Sequence, residues 1–225
     1  MSALLEQGAL NDGVVLLTLS HPSRRNALSV ELCDSLSDHL DALAAHDDVR
    51  AVVVTGAGEA FCAGFDLTEF EQADEDPSFA RTMWASSDRF HHTCLRFPLP
   101  LLAAVHGPAV GAGFDLATMC DLRVMHVDAW FERPEVSFTI PLYSILHDLV
   151  GGALARDLTL TRRRFTAREA HQIGLVNRLV ERGDVIEASL ELARQIAQAK
   201  REDLLASKRK IIACGRLAAY PTLEL

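Results

Sequence analysis

Two glycine-containing turns in this 225-residue chain each lead towards a carboxylate. The first is Ala60-Phe61-Cys62-Ala63-Gly64-Phe65-Asp66-Leu67, and the second is His106-Gly107-Pro108-Ala109-Val110-Gly111-Ala112-Gly113-Phe114-Asp115. Glycine lets a backbone turn sharply and approach a ligand closely, so that N–H groups point at a developing oxyanion. A helix starting near Ala112 adds the positive end of its dipole. Taken singly, a Gly-Ala-Gly sequence fits a plain tight turn better than a site. Neither cluster has the lysine-serine pair of a phosphate loop or the glycine spacing of a dinucleotide fold. Asp115 directly follows the second turn, and Glu135 follows Arg133-Pro134 at the end of an apolar strand. If the two loops meet, both acids face one pocket, and two carboxylates with separated pKa values can serve as acid and base. Each alone reads more simply as a capping or surface acid.

Other reactive residues have plainer readings. His91-His92 fall on a helix without a third ligand at helical spacing, which fits a core or surface pair better than a metal site. No metal is expected. His106 suits packing or a backbone hydrogen bond, and Arg162-Arg163-Arg164 suits a solvated turn or a subunit contact. The five cysteines, Cys33, Cys62, Cys94, Cys120 and Cys214, are an odd number without a C-x-x-C pair, as expected of reduced thiols in a cytoplasmic protein. A formal charge of −9 with dispersed acids leaves no basic face for nucleic acid. The N-terminal sequence has no export pattern, and no stretch has the length of a membrane span.

Elements that must position these residues are legible around them. Val14 to Leu19 is a strand ended by His21-Pro22-Ser23. Ser29 caps a helix to about His46, with Leu32, Leu36, Leu40 and Leu43 on one face. The runs Arg50 to Thr55 and Leu101 to Val105 lack polar alternation, which marks strands covered on both faces of a parallel sheet. The acidic stretch from Glu69 to Asp76 reads as a solvated loop, followed by a helix from Phe79 to Phe97. A short helix from Phe114 to Met119 and a strand from Leu122 to His126 come next. The alternation implies right-handed βα units. Beyond about Pro141 helices dominate, with Thr166-Ala167-Arg168-Glu169 as a capping box. The chain thus divides into an α/β core over 1–140 and a helical region over 141–225.

The ordered motifs AFCAGFDL, LLAAVHG, PAVGAGFDLATMCDLRV, AWFERPE and TAREAHQIGLVNRLV resemble the crotonase superfamily of enoyl-CoA hydratases and isomerases, over nearly the whole chain. The resemblance implies a crotonase-like spiral of ββα units with a helical C-terminal trimerisation region, in a trimer or dimer of trimers. It implies an oxyanion hole from the backbone N–H groups of Phe65 and Ala112. Alanine at 112 requires an ordinary φ/ψ there. It places Ala63, Gly64 and Asp66 at the adenine end of coenzyme A and Arg24 and Arg25 near its phosphates, although the two arginines alone fit a surface turn equally. Further contacts with the thioester are implied at Ala27, Leu67, Gly111, Leu142 and Tyr143. Asp115 and Glu135 fall on the two hydratase acids, with Glu135 moving the α-carbon proton and both holding the water that adds at the β-carbon. No cofactor is needed beyond the coenzyme A of the substrate. Family members continue for a few tens of residues past the position of Leu225.

Several departures bear on activity. Hydratases have glutamate at position 115, and aspartate draws the carboxylate back by roughly one ångström, which can cost about a hundredfold. Dienoyl-CoA isomerases pair aspartate with glutamate but add a third acid where Leu142 and Tyr143 stand. Ile140 to Ser144 replaces a glycine-rich turn, His147 lies in the same altered segment, and Arg133 is expected to pair with Glu135 or Glu132. Hydration of a 2-enoyl-CoA is the leading expectation. A double-bond isomerase using Glu135 and a non-catalytic acyl-CoA-binding subunit are the alternatives; a serine protease on the same fold lacks a recognisable nucleophile turn.

Overall fold

The structure, a computed structural model, describes residues 4–134 and 143–215. Its first half alternates strand and helix. Strand β1 (Leu5–Gln7) precedes β2 (Val14–Leu19), and a single 3-10 turn leads to α1 (Val30–Ala45) and β3 (Ala51–Gly56). Helices α2 (Leu67–Glu75) and α3 (Pro77–Arg96) follow, then β4 (Leu101–Val105), β5 (Ala109–Val110), α4 (Ala112–Met119), β6 (Leu122–His126) and β7 (Trp130–Glu132). The remainder holds α5 (Tyr143–Val150), α6 (Gly152–Thr161), β8 (Phe165–Thr166), α7 (Ala167–Gln172), β9 (Arg178–Val180), α8 (Val185–Ala197) and α9 (Arg201–Cys214).

The main sheet has the order β1-β2-β3-β4-β6-β9, parallel from β2 onward with β1 antiparallel at one edge. Both faces are covered, which explains its apolar runs. Val52, Val54, Ala103 and Val105 pack with Leu32, Leu36 and Phe90 on one side. Val53, Leu102, Ala104 and Val124 pack with Val185, Ala193 and Ala197 of α8 on the other. Successive side chains of a strand point to opposite faces, so a strand buried on both sides shows no alternation. A smaller sheet, β5-β7-β8, stands beside the main one.

Three local expectations are corrected. The acidic stretch is helix α2 rather than a loop, because the Asp66 side chain accepts from the Thr68 amide and caps it while Glu71, Asp74 and Glu75 face outward. Helix α3 starts at Pro77, a residue suited to the first turn of a helix because its missing N–H has no helical partner there anyway. The C-terminal part also contributes β9 to the main sheet, so helices do not account for all of it. Ser29 and Thr166 cap their helices through side-chain oxygens, accepting from Leu32 and Glu169.

Arg123 joins the two parts of the chain. Its buried guanidinium donates through Nε to the Leu175 carbonyl at 2.6 Å and through Nη1 to the Cys120 carbonyl at 2.6 Å. The same nitrogen reaches the Ala117 carbonyl at 3.2 Å, so the C-terminal end of α4 receives a cation where its carbonyls lack helical partners. Lys208 of α9, also buried, pairs with Asp121 at 2.7 Å, and Asp121 accepts from the Leu101 amide at the start of β4.

Candidate functional site

The two glycine turns meet. Cys62 and Ala109 form a parallel bridge, in which the Cys62 amide donates to the Pro108 carbonyl and the Val110 amide to the Cys62 carbonyl. Gly113 lies against the Cys62 carbonyl so closely that a Cβ would overlap it, which only glycine permits. Gly111 has φ 56° and ψ −123°, a conformation that turns the chain directly from β5 into α4. Ala112, the first residue of that helix, is absent from the residues with positive φ. Its ordinary backbone is the one an alanine can adopt.

Phe65 reaches the same place from the other loop. Leu28 and Phe65 form a parallel bridge made by the neighbours of Phe65: Leu28 donates to the Gly64 carbonyl, and Asp66 donates to the Leu28 carbonyl. In such a bridge the residue's own N–H points away from the partner strand. Among the described residues the Phe65 N–H makes no hydrogen bond, leaving it available to a ligand. An amide donor and a helix N-terminus on adjoining loops suit a negatively charged oxygen.

Asp115 lies on the first turn of α4, its side chain 11% exposed. Arg133 Nη2 donates to Asp115 Oδ1 at 2.5 Å. This corrects the expected pairing of Arg133 with Glu132, while the other expected partner, Glu135, falls outside the described residues. Strand β7 alternates: Phe131 and Arg133 point inward, whereas Trp130 and Glu132 are half-buried. Glu132 instead accepts from Arg164 at 3.0 Å, and the Arg164 guanidinium stacks 3.5 Å over the Trp130 ring. Glu135 and Leu142 lie outside the described residues. Tyr143 opens α5, its ring 5.8 Å from that of His147.

The residues assigned to coenzyme A fall together around the first loop. Ala63 donates to the Arg25 carbonyl, and Ala27 to that of Arg24. Arg24 is half-exposed and its Nη1 binds Asp66 at 2.9 Å and Thr68 at 3.0 Å. Burial acts to raise the Asp66 carboxyl pKa, but hydrogen bonds from the Thr68 hydroxyl and amide and from Arg24 outweigh it and hold the group below the ordinary value. Arg25 is exposed with φ 51°, and Leu67 is 65% exposed, so both present surface to solvent beside this loop.

Sequence reasoning missed three supports. Asn26 is fully buried: Nδ2 donates to the carbonyls of Ala57 at 2.9 Å and Ala60 at 2.8 Å, and Oδ1 accepts from the His21 amide. Glu69 Oε2 accepts from the Val30 amide, tying α2 to the start of α1, and burial raises its pKa. His91 is buried with its ring against Phe65 and Phe90, and its Nδ1 meets the Ser87 carbonyl at 2.7 Å. Burial lowers the His91 pKa, with the nearby Asp115 charge acting in the opposite direction. Asn26 follows two arginines and His91 precedes another histidine, so neither stood out by type or spacing.

His106 Nε2 meets the Gly58 carbonyl at 3.0 Å, the backbone role expected of it. Arg163 pairs with Asp157 and Glu169. Cys33, Cys62, Cys94 and Cys120 are buried free thiols, with Cys120 pushed up to about 12 by burial, while Cys214 is exposed. Among the described residues no helix is long and apolar enough to cross a membrane.

The chain is similar to known proteins in both sequence and fold. Residues 9–218 match the family model described as enoyl-CoA hydratase/isomerase. A Thermus thermophilus protein provisionally named an enoyl-CoA hydratase is 40% identical over 206 residues, covering 89% of this chain and 81% of that protein. The 2,3-dehydroadipyl-CoA hydratase of Escherichia coli is 35% identical over 205 residues, with coverage of 88% and 78%. The crystal structure of a Mycobacterium smegmatis enoyl-CoA hydratase superposes with a TM-score of 0.86 at 32% identity, covering 94% of this chain and 83% of that one. On the match of both motifs and fold, this chain belongs to the enoyl-CoA hydratase/isomerase family, within the crotonase superfamily.

Proposed function

We propose that the protein hydrates the 2,3 double bond of an enoyl-CoA thioester to give the 3-hydroxyacyl-CoA. The observation that carries this reading is the unpartnered Phe65 N–H beside the N-terminus of α4, with Asp115 on the first turn of that helix. A thioester carbonyl held by the N–H groups of Phe65 and Ala112 takes up negative charge as water attacks the β-carbon. Asp115 orients that water. As the water's oxygen bonds to the β-carbon, the proton it loses passes to the Asp115 carboxylate, while Glu135, protonated beforehand, delivers a proton to the α-carbon and the enolate returns to a thioester; proton exchange between the two carboxyls resets the site. Arg24, Arg25, Ala27, Ala63, Gly64, Asp66 and Leu67 receive coenzyme A, and Gly111, Leu142 and Tyr143 border the acyl group. The reaction needs no cofactor other than the coenzyme A of its substrate.

A second reading rests on the Arg133–Asp115 pair, which occupies one oxygen of the carboxylate that a hydratase needs. In an isomerase Glu135 alone carries a proton between carbons, and Asp115 is a structural anion. Loss of conjugated-thioester absorbance with crotonyl-CoA tests the choice, with Glu135→Gln and Asp115→Asn alongside. Hydration abolished by both substitutions supports the two-carboxylate mechanism. Isomerisation of a 3-enoyl-CoA that survives Asp115→Asn but not Glu135→Gln supports the second reading, and binding without turnover supports a silent acyl-CoA-binding subunit.

We infer further that the chain assembles as a trimer or dimer of trimers through its helical C-terminal region and works in the cytoplasm, as its buried free thiols suit. Light scattering of the purified protein tests the assembly: a monomer overturns it.

A further inference from the structure

Arg133 is an unusual residue to find beside the carboxylate at position 115. It is 4% exposed, and its guanidinium carbon lies 5.9 Å from the centre of the Phe114 ring. One arm, Nη2, is spent on Asp115 at 2.5 Å. The other, Nη1, is sealed from solvent and has no hydrogen-bond partner among the described residues. A buried donor without an acceptor is costly, and the cost is larger on a charged group. Asp115 alone needs only one donor, which a lysine supplies as well; the planar fork of arginine adds a second donor at a fixed angle to the first.

The position of that second donor follows from the first. Both nitrogens hang from one carbon, so Nη1 stands one guanidinium width from the nitrogen that holds Asp115. A substrate that brings its reacting carbon to Asp115 brings its next atoms within reach of Nη1. We propose that Arg133 is an acyl-recognition residue, whose Nη1 donates a hydrogen bond to an oxygen carried on the acyl chain beyond the carbons that react. This rests on the acyl-CoA reading of the site. The preferred substrates are thus enoyl-CoA thioesters whose chain ends in a hydroxyl or carboxylate, in preference to plain hydrocarbon chains. Because Asp115 already neutralises the guanidinium, a neutral hydroxyl satisfies Nη1 without adding a charge to a buried pair; a carboxylate forms the stronger bond but brings one.

The test is equilibrium binding of three saturated thioesters with five-carbon chains, none of which can be hydrated: pentanoyl-CoA, 5-hydroxypentanoyl-CoA and glutaryl-CoA. At least one oxygenated thioester is expected to bind about tenfold to a hundredfold more tightly than pentanoyl-CoA, the range of one hydrogen bond to a charged group. The two oxygenated ligands show which oxygen is preferred. Arg133→Lys, which keeps the charge beside Asp115, is expected to bring the ratio close to one while pentanoyl-CoA binds as before. The double variant Asp115→Asn/Arg133→Met removes the charge pair as a unit and is expected to bring the ratio close to one as well, so a folding defect in either variant leaves the other to decide. Equal binding of all three thioesters by the unmodified protein overturns the proposal, as it would if a buried water occupied Nη1. So does a preference that survives both variants. Failure to bind pentanoyl-CoA and its two relatives alike overturns the acyl-CoA reading itself, an outcome separate from binding without discrimination.

Discussion

The carbonyl oxygen of Cys62 fills the place that a Cβ on Gly113 would take, so glycine there lets the two loops that hold Phe65 and Ala112 lie together. A methyl group at 113 would collide with backbone, which cannot swing aside as a side chain can. Gly113→Ala is expected to cost about 1–3 kcal/mol, a melting temperature lower by roughly 2–12 °C for a chain of this size. Thermal denaturation measures it, and an unchanged midpoint would show that the loops can part freely.

Asn26 performs a different task at the same loops, satisfying half-buried backbone groups at His21 and Ala57 and a buried one at Ala60. Asn26→Ala leaves those groups unpaired, the Ala60 carbonyl in a buried place. Each unsatisfied buried group costs on the order of 1–3 kcal/mol, so the urea midpoint should fall substantially at constant slope. Asn26→Asp keeps the acceptor but removes the donors, and should be destabilising too.

The burial of His91 makes stability depend on pH. Its pKa in the folded protein lies below the ordinary 6.5, so on acidification the unfolded chain takes up the proton first. Stability attributable to this residue is therefore fully present above about pH 6.5 and is lost as the pH falls towards the folded value. Denaturant midpoints measured from pH 8 to pH 5 should drop less steeply in His91→Gln than in the unmodified protein. Equal slopes would contradict the burial of a neutral imidazole.

Arg24 tests the proposed coenzyme-binding loop without threatening the fold. Its pair with Asp66 is half-exposed, and such pairs contribute about 0–1 kcal/mol. Arg24→Ala should leave the melting temperature within roughly 4 °C and weaken binding of a CoA thioester several-fold. Equal affinity would remove Arg24 from the binding residues.

Lys208 offers the converse case, a buried cation that fastens α9 to Asp121. Lys208→Met leaves Asp121 without its counter-charge in a mostly buried place, for which about 3–5 kcal/mol is the usual loss at full burial and less is expected at the 19% exposure of the Asp121 side chain. Limited proteolysis should then cut α9 first.

The sequence displayed the strands best. Val52, Val53 and Val54 are buried whichever face they point to, and nothing but a sheet covered on both sides produces such a run. Helix α1 was equally legible from its leucines and the Ser29 cap. Helix α2 was hidden because its acids suggest solvent, whereas the deciding residue is Asp66, whose cap is visible only once Thr68 is seen to bond to it. Strands β1, β8 and β9 are too short to carry a period. In the site, the glycine turns and their two acids could be read from spacing, but not the closeness of the loops, which depends on the Cys62–Ala109 bridge. Glu132 is a near neighbour of Arg133 in sequence and so looks like its partner, whereas the bond goes to Asp115, 18 residues away. The inward side of β7 decides that pairing, and Phe131 two residues earlier was the available sign.

Arg123 also imposes an order in time. The helix that carries Asp115 is held at its far end by a guanidinium whose Nε acceptor, the Leu175 carbonyl, comes 52 residues later in the chain. During synthesis both glycine turns, Asp115 and Arg123 itself leave the ribosome before that acceptor has been made. Until Leu175 arrives, one donor of a buried cation at the C-terminal end of α4 is unfilled. The site is thus among the last parts of the molecule to set, although every residue so far assigned to its chemistry has already been translated.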